Sequence, residues 1–277
     1  MSIIVGIDVG GSTTKIVGFD GEKLLEPGLV KANDPIASVY GGFGKFTTDN
    51  KIQLSDIEKV MVTGVGTAFL GDNIYGIEAV HVNEFIANGK GGLYLSNIDE
   101  AIVVSMGTGT ACVYSNRKNN EYVHLGGTGI GGGTLVGIAD KLLGIRSAQH
   151  VAELALGGDL KNIDLMISDI TQSDISPTLQ SDITASNFGK VSDMATREDI
   201  ALGLVNMVFE TIAMMAIFSA RMKNIKDIVL IGNLTVLPQA ETIFKKLEDI
   251  FGVNIIIPEN AAYGTVIGAA LEGAKHG

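Results

Sequence analysis

A chain of 277 residues, 46% hydrophobic and 18% charged, has the length and apolar content for one large core or two moderate ones, which excludes a disordered chain. Its 20 Lys and Arg against 31 Asp and Glu leave a net charge of −11. No cationic cluster stands ready to release counterions, so neither a nucleic-acid partner nor a membrane partner is expected. Cys112 is the single cysteine, which excludes an intrachain disulfide, a cysteine zinc site and a chain-contained iron–sulfur cluster, and fits a reducing cytoplasm. The four histidines show no metal-ligand spacing, and the opening IIVGID carries no basic region or cleavage site of an export signal.

In chain order, residues 3–8 form a β-branched run ending at VGGS, and residues 13–19 return as a second strand. A turn at Asp20-Gly21 leads to an expected third strand over 23–30. A weakly helical stretch covers 36–46, strands follow at 57–63 and 79–82, and a helix is expected over 84–95. Residues 96–100 read as a domain junction. The opening theme then returns: strand 101–105 ends in MGTGT, followed by strands 112–115 and 122–125. VGIDVGGSTTKIVGFDGEKLL and AIVVSMGTGTACVYSNRKNNEYVHL thus share the order strand, Gly/Thr turn, strand, turn, strand, a duplicated supersecondary unit. Helices are expected at 132–143 and 148–156, a mixed region at 165–188 and a long helix over 197–222. Its apolar stretch 201–220 carries Asn206 and Glu210 and reads as a buried helix, not a membrane span. Strand 228–231, helix 239–251, strand 253–257 and a last helix over 261–275 complete an α/β class chain.

DVGGSTTK sets a carboxylate, Asp8, at a strand end, then Gly10, Gly11, Ser12 and Thr13 in a tight turn, then Lys15. Amides converging in such a turn suit a phosphate. Asp8 suits Mg²⁺, and Lys15 would neutralise a phosphate as a point charge. An ordinary hairpin turn would look the same, but SMGTGT, with Gly107, Thr108 and Gly109, repeats the device in the duplicate unit. GGTGIGGG, residues 126–133, contains GxGxxG, yet it lies in no early βαβ unit and has no acid about 20 residues on. No GxxxxGK[ST] loop is present. The run therefore reads as a glycine-rich approach to a helix, whose free amides at Gly131, Gly132 and Gly133 would face an anion. Close packing between domains is the competing reading. Gly232-Asn233 ends a buried strand, and AYGTVIG is a helix start able to pack closely. Glu84, after the strand AVHV, is a candidate general base, or else an acid interacting with a helix dipole.

DVGGSTTK, SMGTGT and IGN, in this order on a duplicated unit, resemble the sugar kinase/heat-shock ATPase/actin superfamily. More closely, GIDVGGSTTKIV, VNEF, VSMGTGTACVYS, VHLGGTGIGGGTLVGIADKLLG, DITASNFGKV and IVLIGN resemble the type II pantothenate kinases, from residue 6 to 268. The resemblance implies an actin-like ATPase fold of duplicated ribonuclease-H-like domains, residues 1–98 and 99–277. A nucleotide cleft would lie between them, and the last helix would pack back across the junction. It implies phosphorylation of the pantothenate hydroxyl with ATP and Mg²⁺ in coenzyme A biosynthesis, by a cytoplasmic homodimer, with coenzyme A or an acyl-CoA as a further ligand.

Carried over by position, Asp8 would act through the metal and Glu84 as the base. ATP would be held by Gly10, Gly11, Ser12, Thr13, Lys15, Gly107, Thr108, Gly109, Gly131, Gly132, Gly133, Gly232 and Asn233. The acceptor would meet Thr108, His124, Gly126 and Gly127. Two positions depart from the family pattern: His124 replaces an arginine, and Ala111 replaces a small hydroxyl residue. They motivate an alternative, a nucleotide- or acyl-CoA-binding regulator without kinase activity, or a kinase for a related pantothenate-like acceptor.

Overall fold

The β-branched run at the start forms β1 (Ile3–Val9), which turns at Gly10 and returns as the antiparallel β2 (Thr14–Asp20). In both strands every residue but Asp8 and Asp20 is buried, the pattern of strands covered on two faces. The coordinates are a computed structural model and describe residues 2–31, 34–171, 180, 181 and 183–274. A continuous third strand does not form. The segment pairs with β2 twice, as β3 (Lys23–Leu24) and β4 (Gly28–Val30). Between them Pro27 has no amide to give a ladder, and the Glu26 amide is taken by Asn50 Oδ1 at 3.0 Å. Helix α1 (Pro35–Asp49), capped by Asp34, leads to β5 (Ile57–Thr63), β6 (Asn73–Ile74), β7 (Ile77–His81) and α2 (Glu84–Ser96). The sheet runs β3-β2-β1-β5-β7-β6, with β5 parallel to β1 and β7 parallel to β5.

The second half repeats this path. Strands β8 (Glu100–Met106), β9 (Thr110–Asn116) and β10 (Glu121–Thr128) form an antiparallel meander. Helices α3 (Gly132–Leu143) and α4 (Ala148–Ala155) follow. Within the mixed region, β11 (Leu165–Met166) pairs with β12 (Thr184–Ser186) around a one-turn α5 (Ile167–Ile170), while residues 172–179 and 182 lie outside the described residues. Then come α6 (Arg197–Lys223), β13 (Asp227–Ile231), α7 (Gln239–Phe251), β14 (Asn254–Ile256) and α8 (Gly264–Gly273). The expected start of the last helix at residue 261 is a 3₁₀ turn that precedes α8, and its expected end at residue 275 lies outside the described residues. The second sheet runs β10-β9-β8-β13-β14, with β13 parallel to β8 and β14 parallel to β13. Hairpin plus two parallel strands, β2-β1-β5-β7 and β9-β8-β13-β14, is thus one path used twice.

Each sheet is sandwiched. The first buries Ile3, Val5, Ile7 and Val9 against Phe43 and Phe46 of α1, and Val17 and Phe19 against Val266, Ile267 and Ala270 of α8. The second buries Ile102, Val104 and Cys112 against α6, and Val103, Val229 and Ile231 against Leu93 of α2. Burying each such side chain contributes roughly 1.5–3 kcal/mol. The halves therefore exchange a helix: α2 of the first covers the second sheet, and α8 of the second covers the first. Where α2 and α8 cross, the backbones nearly touch. A Cβ at Gly91 would sit 1.7 Å from the Gly264 carbonyl oxygen, and one at Gly268 would sit 1.8 Å from that of Ala87. Helix α6 is long and apolar enough to span a bilayer, but its Leu204, Val208, Phe209, Ile212 and Ile217 are core residues of the second half.

Candidate active site

The duplicated path brings the two Gly/Thr turns face to face around a cavity of about 300 Å³. From the first half it is lined by Asp8, Gly10, Gly11, Ser12, Thr13, Lys15, Gly64, Val65 and Glu84. From the second come Ser105, Gly107, Thr108, Gly109, Thr110, Ala111, Thr128, Gly232, Asn233 and Thr265. Each turn closes on itself with one backbone bond, Gly10 N to Thr13 O at 3.0 Å and Gly107 N to Gly109 O at 2.9 Å. The amides of Gly11, Ser12, Thr108 and Gly109 make no bond to the protein among the described residues. Paired concavities of that kind suit an anion with several oxygens.

Asp8 and Lys15 are cross-strand partners in the first turn. Burial pushes the Asp8 carboxyl up to about 7, with Lys15 pulling it down and Glu84 adding a smaller upward push. Burial likewise lowers the Lys15 ammonium, opposed by Asp8, and the ammonium donates to the Ala262 carbonyl oxygen. Both ends of the pair are thus costly to charge in the closed protein, and a bound cation and anion would each lower that cost.

Glu84 is the first residue of α2, behind the N-cap Asn83, whose side chain accepts from the amides of Phe85 and Ile86 at 2.9 and 3.3 Å. Burial raises its carboxyl above the usual range. Glu84 thus opens a helix and also lines the cavity.

The glycine-rich run stands differently. Gly132 N donates to Gly107 O and Gly133 N to Thr108 O, each at 2.9 Å, so these two amides are occupied and do not face an anion. The reading of free helix-terminal amides is corrected at Gly132 and Gly133, while the Gly131 amide makes no bond among the described residues. The glycines pack closely, not between domains but on the second turn of their own half. A Cβ at Gly131 would lie 2.6 Å from the Thr108 carbonyl oxygen, and one at Gly127 would lie 2.4 Å from that of Thr110. The run is a buttress behind the second turn. Gly126, Gly127, Gly131, Gly132 and Gly133 stand outside the residues lining the cavity.

His124 also stands outside that lining, on β10, where its ring stacks on Phe85 with centroids 3.9 Å apart and planes 9° apart. The stack seats it, exposed, on the first turn of α2, on the residue that follows Glu84 in the chain. Of the two arginines nearest in sequence, Arg117 donates to Leu93 O and Arg146 pairs with Asp140 at 2.9 Å. Asn233 reaches across the cleft, its Nδ2 donating to Thr13 Oγ1 at 3.4 Å.

Sequence reasoning missed Gly64, Ser105, Thr110, Thr128 and Thr265. Gly64 had a visible signal: VTGVG after β5 matches LIGNL after β13, strand then glycine then 3₁₀ turn. Gly64 and Gly232 have φ of +92° and +101°, and a Cβ on either would stand 2.6 Å from a backbone oxygen of the facing turn, that of Val9 or Met106.

The sequence profile of the family described as Fumble matches residues 40–246. A type II pantothenate kinase of Bacillus cereus (strain G9842) is 30% identical over 249 residues, 84% of this chain and 84% of its own. One of Staphylococcus haemolyticus (strain JCSC1435) is 30% identical over 276 residues, 96% of this chain and 98% of its own. Among solved structures, component A of the Acidaminococcus fermentans (R)-2-hydroxyglutaryl-CoA dehydratase superposes with a TM-score of 0.69 at 19% identity, covering 98% of this chain and 97% of that one. A ROK family glucokinase from Streptomyces griseus, in complex with glucose and AMPPNP, superposes with a TM-score of 0.62 at 13% identity, covering 98% of each. At such identities the likeness is one of fold, that of the actin-like ATPases and sugar kinases.

Proposed function

The chain belongs to the Fumble family of type II pantothenate kinases, and on that premise we propose that its cleft transfers the γ-phosphoryl group of ATP to the hydroxyl of pantothenate, the first step of coenzyme A biosynthesis. The observation that carries the reading is one cavity holding two phosphate-type turns, the Asp8–Lys15 pair and Glu84. Phosphoryl transfer asks a protein mainly to position reactants and to neutralise charge on the moving group.

In that reading Gly10, Gly11, Ser12 and Thr13 cradle one part of the triphosphate and Gly107, Thr108 and Gly109 another. Lys15 answers phosphate charge, and Gly232 and Asn233 close the nucleotide side. Glu84 takes the proton of the acceptor hydroxyl, and a carboxyl raised by burial is the stronger base for it. The donor set fits Mg²⁺, which typically takes one or two carboxylates and fills its sphere with phosphate and water. Asp8 would hold it, directly or through water; when bound, the ion supplies neutralisation of phosphate charge. Its charge would also stabilise the ionised form of Asp8.

The resemblance extends the proposal to residues 1–98 and 99–277 as the two closing domains. It extends further to a cytoplasmic homodimer, and to coenzyme A or an acyl-CoA as a further ligand. His124, on its Phe85 stack, would border the acceptor mouth near Glu84. Gly126 and Gly127 would support that rim from β10, and Gly131, Gly132 and Gly133 would act on ATP through the second turn.

Purified protein given Mg-ATP and pantothenate should form phosphopantothenate, read by mass spectrometry. ATP binding without turnover of pantothenate or pantetheine would overturn the substrate. Glu84→Gln should lower kcat by roughly 10²–10⁴-fold; full activity would remove Glu84 as the base.

A further inference from the structure

Thr265 lies in the first turn of α8, is 7% exposed, and stands in the wall of the cleft. Its hydroxyl donates to Asn88 Oδ1 at 2.7 Å. Asn88 lies one helical turn beyond Glu84 on α2, the i, i+4 spacing that puts both on one helix face. Asn88 is fully buried, and its amide nitrogen has no partner among the described residues. A buried amide with an unmatched donor is costly, and an apolar side chain would avoid the cost. What Asn88 does among the described residues is take one proton, that of Thr265.

That bond decides the chemistry of Thr265. A hydroxyl has one proton and two lone pairs, so with the proton committed to Asn88 it turns an acceptor toward the cleft. The geometry around it is fixed. Gly91, Gly264 and Gly268 hold α2 and α8 at backbone contact, and the bond to Asn88 selects one of the two χ1 rotamers that a helical threonine shares. A rigid acceptor on the Glu84 side of the cavity calls for a donor on whatever reacts there.

We propose that Thr265 is a recognition residue for the phosphoryl acceptor, taking a hydrogen bond from a second donor of that molecule, and that Asn88 is a positioning residue acting through it. This rests on the reading of the cleft as a pantothenate kinase site. Besides the less hindered primary hydroxyl that Glu84 would activate, pantothenate carries two further donors, its secondary hydroxyl and its amide N–H. Both offer the same chemistry to Thr265.

Steady-state kinetics with Mg-ATP and pantothenate test it. Thr265→Val, nearly isosteric but without the hydroxyl, should raise the acceptor KM by roughly 3- to 10-fold, the loss of one neutral hydrogen bond. The KM of ATP should hold while the Tm falls, because Asn88 Oδ1 is left buried without a donor, and Thr265→Ser should restore both the acceptor KM and the Tm. Asn88→Leu should raise the same KM, and the double variant Asn88→Leu with Thr265→Val should add nothing to either. A pantothenate analogue with hydrogen in place of the secondary hydroxyl, and another with the amide N-methylated, separate the two donors. The analogue lacking the partnered donor should be blind to Thr265→Val. An active wild type whose acceptor KM ignores Thr265→Val overturns this inference alone, as does a KM shift shared by ATP. A wild type inactive on pantothenate overturns the proposed function and this inference with it.

Discussion

The two turns facing each other across the cleft are built on one register and carry different burdens. In the first, Asp8 lies opposite Lys15, one step from the strand end; in the second, the same positions hold Ser105 and Ala111. The first turn concentrates the charge, and its buried ion-forming pair is strained toward neutrality. The second is neutral and is buttressed from behind by the Gly132 and Gly133 amides. A duplicated cradle serves a polyanion best with a single charged copy, because a second carboxylate would add repulsion without adding a metal site. Duplication supplied the backbone twice; the chemistry was placed once.

The largest expected effect tests that division directly. Asp8→Ala should lower kcat/KM by roughly 10²–10³-fold, the scale of losing a main electrostatic element of a transition state. Ser105→Ala, at the matching position, should change it by no more than about 3-fold, within a single neutral hydrogen bond. Comparable losses at the two positions, in one phosphoryl-transfer assay, would break the comparison.

Stability against pH should separate the turns next. The Asp8 carboxyl is raised in the folded protein from 3.8 to about 7. Between those values the folded state holds a proton that the unfolded state has lost, so stability falls as pH rises through the window. Asp8→Asn removes that dependence. In metal- and nucleotide-free protein, the Tm of Asp8→Asn minus that of the wild type should therefore grow from about pH 4.5 to about pH 8. Ser105→Ala against wild type should give a difference flat in pH, since no titrating group is altered. A flat difference for Asp8→Asn would show that its carboxylate is solvated, contrary to the burial described.

The buttress gives a stability effect of similar kind. A Cβ at Gly131 meets backbone atoms of Thr108 and Gly109 at 2.6 and 2.8 Å, whereas one at Gly129 meets nothing within 4 Å. Gly131→Ala should cost about 1–3 kcal/mol by denaturant unfolding, as overpacking against an unyielding backbone does. Gly129→Ala should be near neutral. Equal midpoints for the two variants would deny that the run supports the second turn.

Much of this was legible in the residues, because hairpins, Gly/Thr turns and helix ends are local matters. Helices 132–143 and 239–251 end at Gly144 and Gly252, both in the left-handed region that glycine favours, and the sequence reading placed their ends there. The exchange of α2 and α8 was less legible, since an apolar face does not say which sheet it will cover. Nor could the sequence show the Gly132 and Gly133 amides bonding to Gly107 and Thr108, a contact between segments more than 20 residues apart. Thr265 was hidden inside AYGTVIG, where small residues signal close packing and do so truly at Gly264 and Gly268. The resemblance sets His124 among the acceptor contacts, whereas it stands outside the cavity lining and its stacking partner Phe85 lies 39 positions back in the chain, beyond the reach of local pattern.

The smallest effect concerns the link between the two halves. Asn233 follows the strand of the second half, and its Nδ2 donates across the cleft to Thr13 Oγ1 in the first turn at 3.4 Å, a long and therefore weak bond. Its loss should barely touch global stability, because each half keeps its own sheet and the crossed helices α2 and α8 still join them. What it would change is how firmly the charged turn is held against the neutral one while the cleft is closed over a nucleotide. Asn233→Ala should accordingly raise the KM of ATP by roughly 2- to 5-fold, one weak neutral hydrogen bond, and leave the KM of the acceptor alone. Thr13→Val, which removes the other end of the same bond, should add little in the double variant if the two residues act as a pair. Full additivity in that cycle would mean that each side chain meets the nucleotide separately. The turns would then be coupled by the ligand alone.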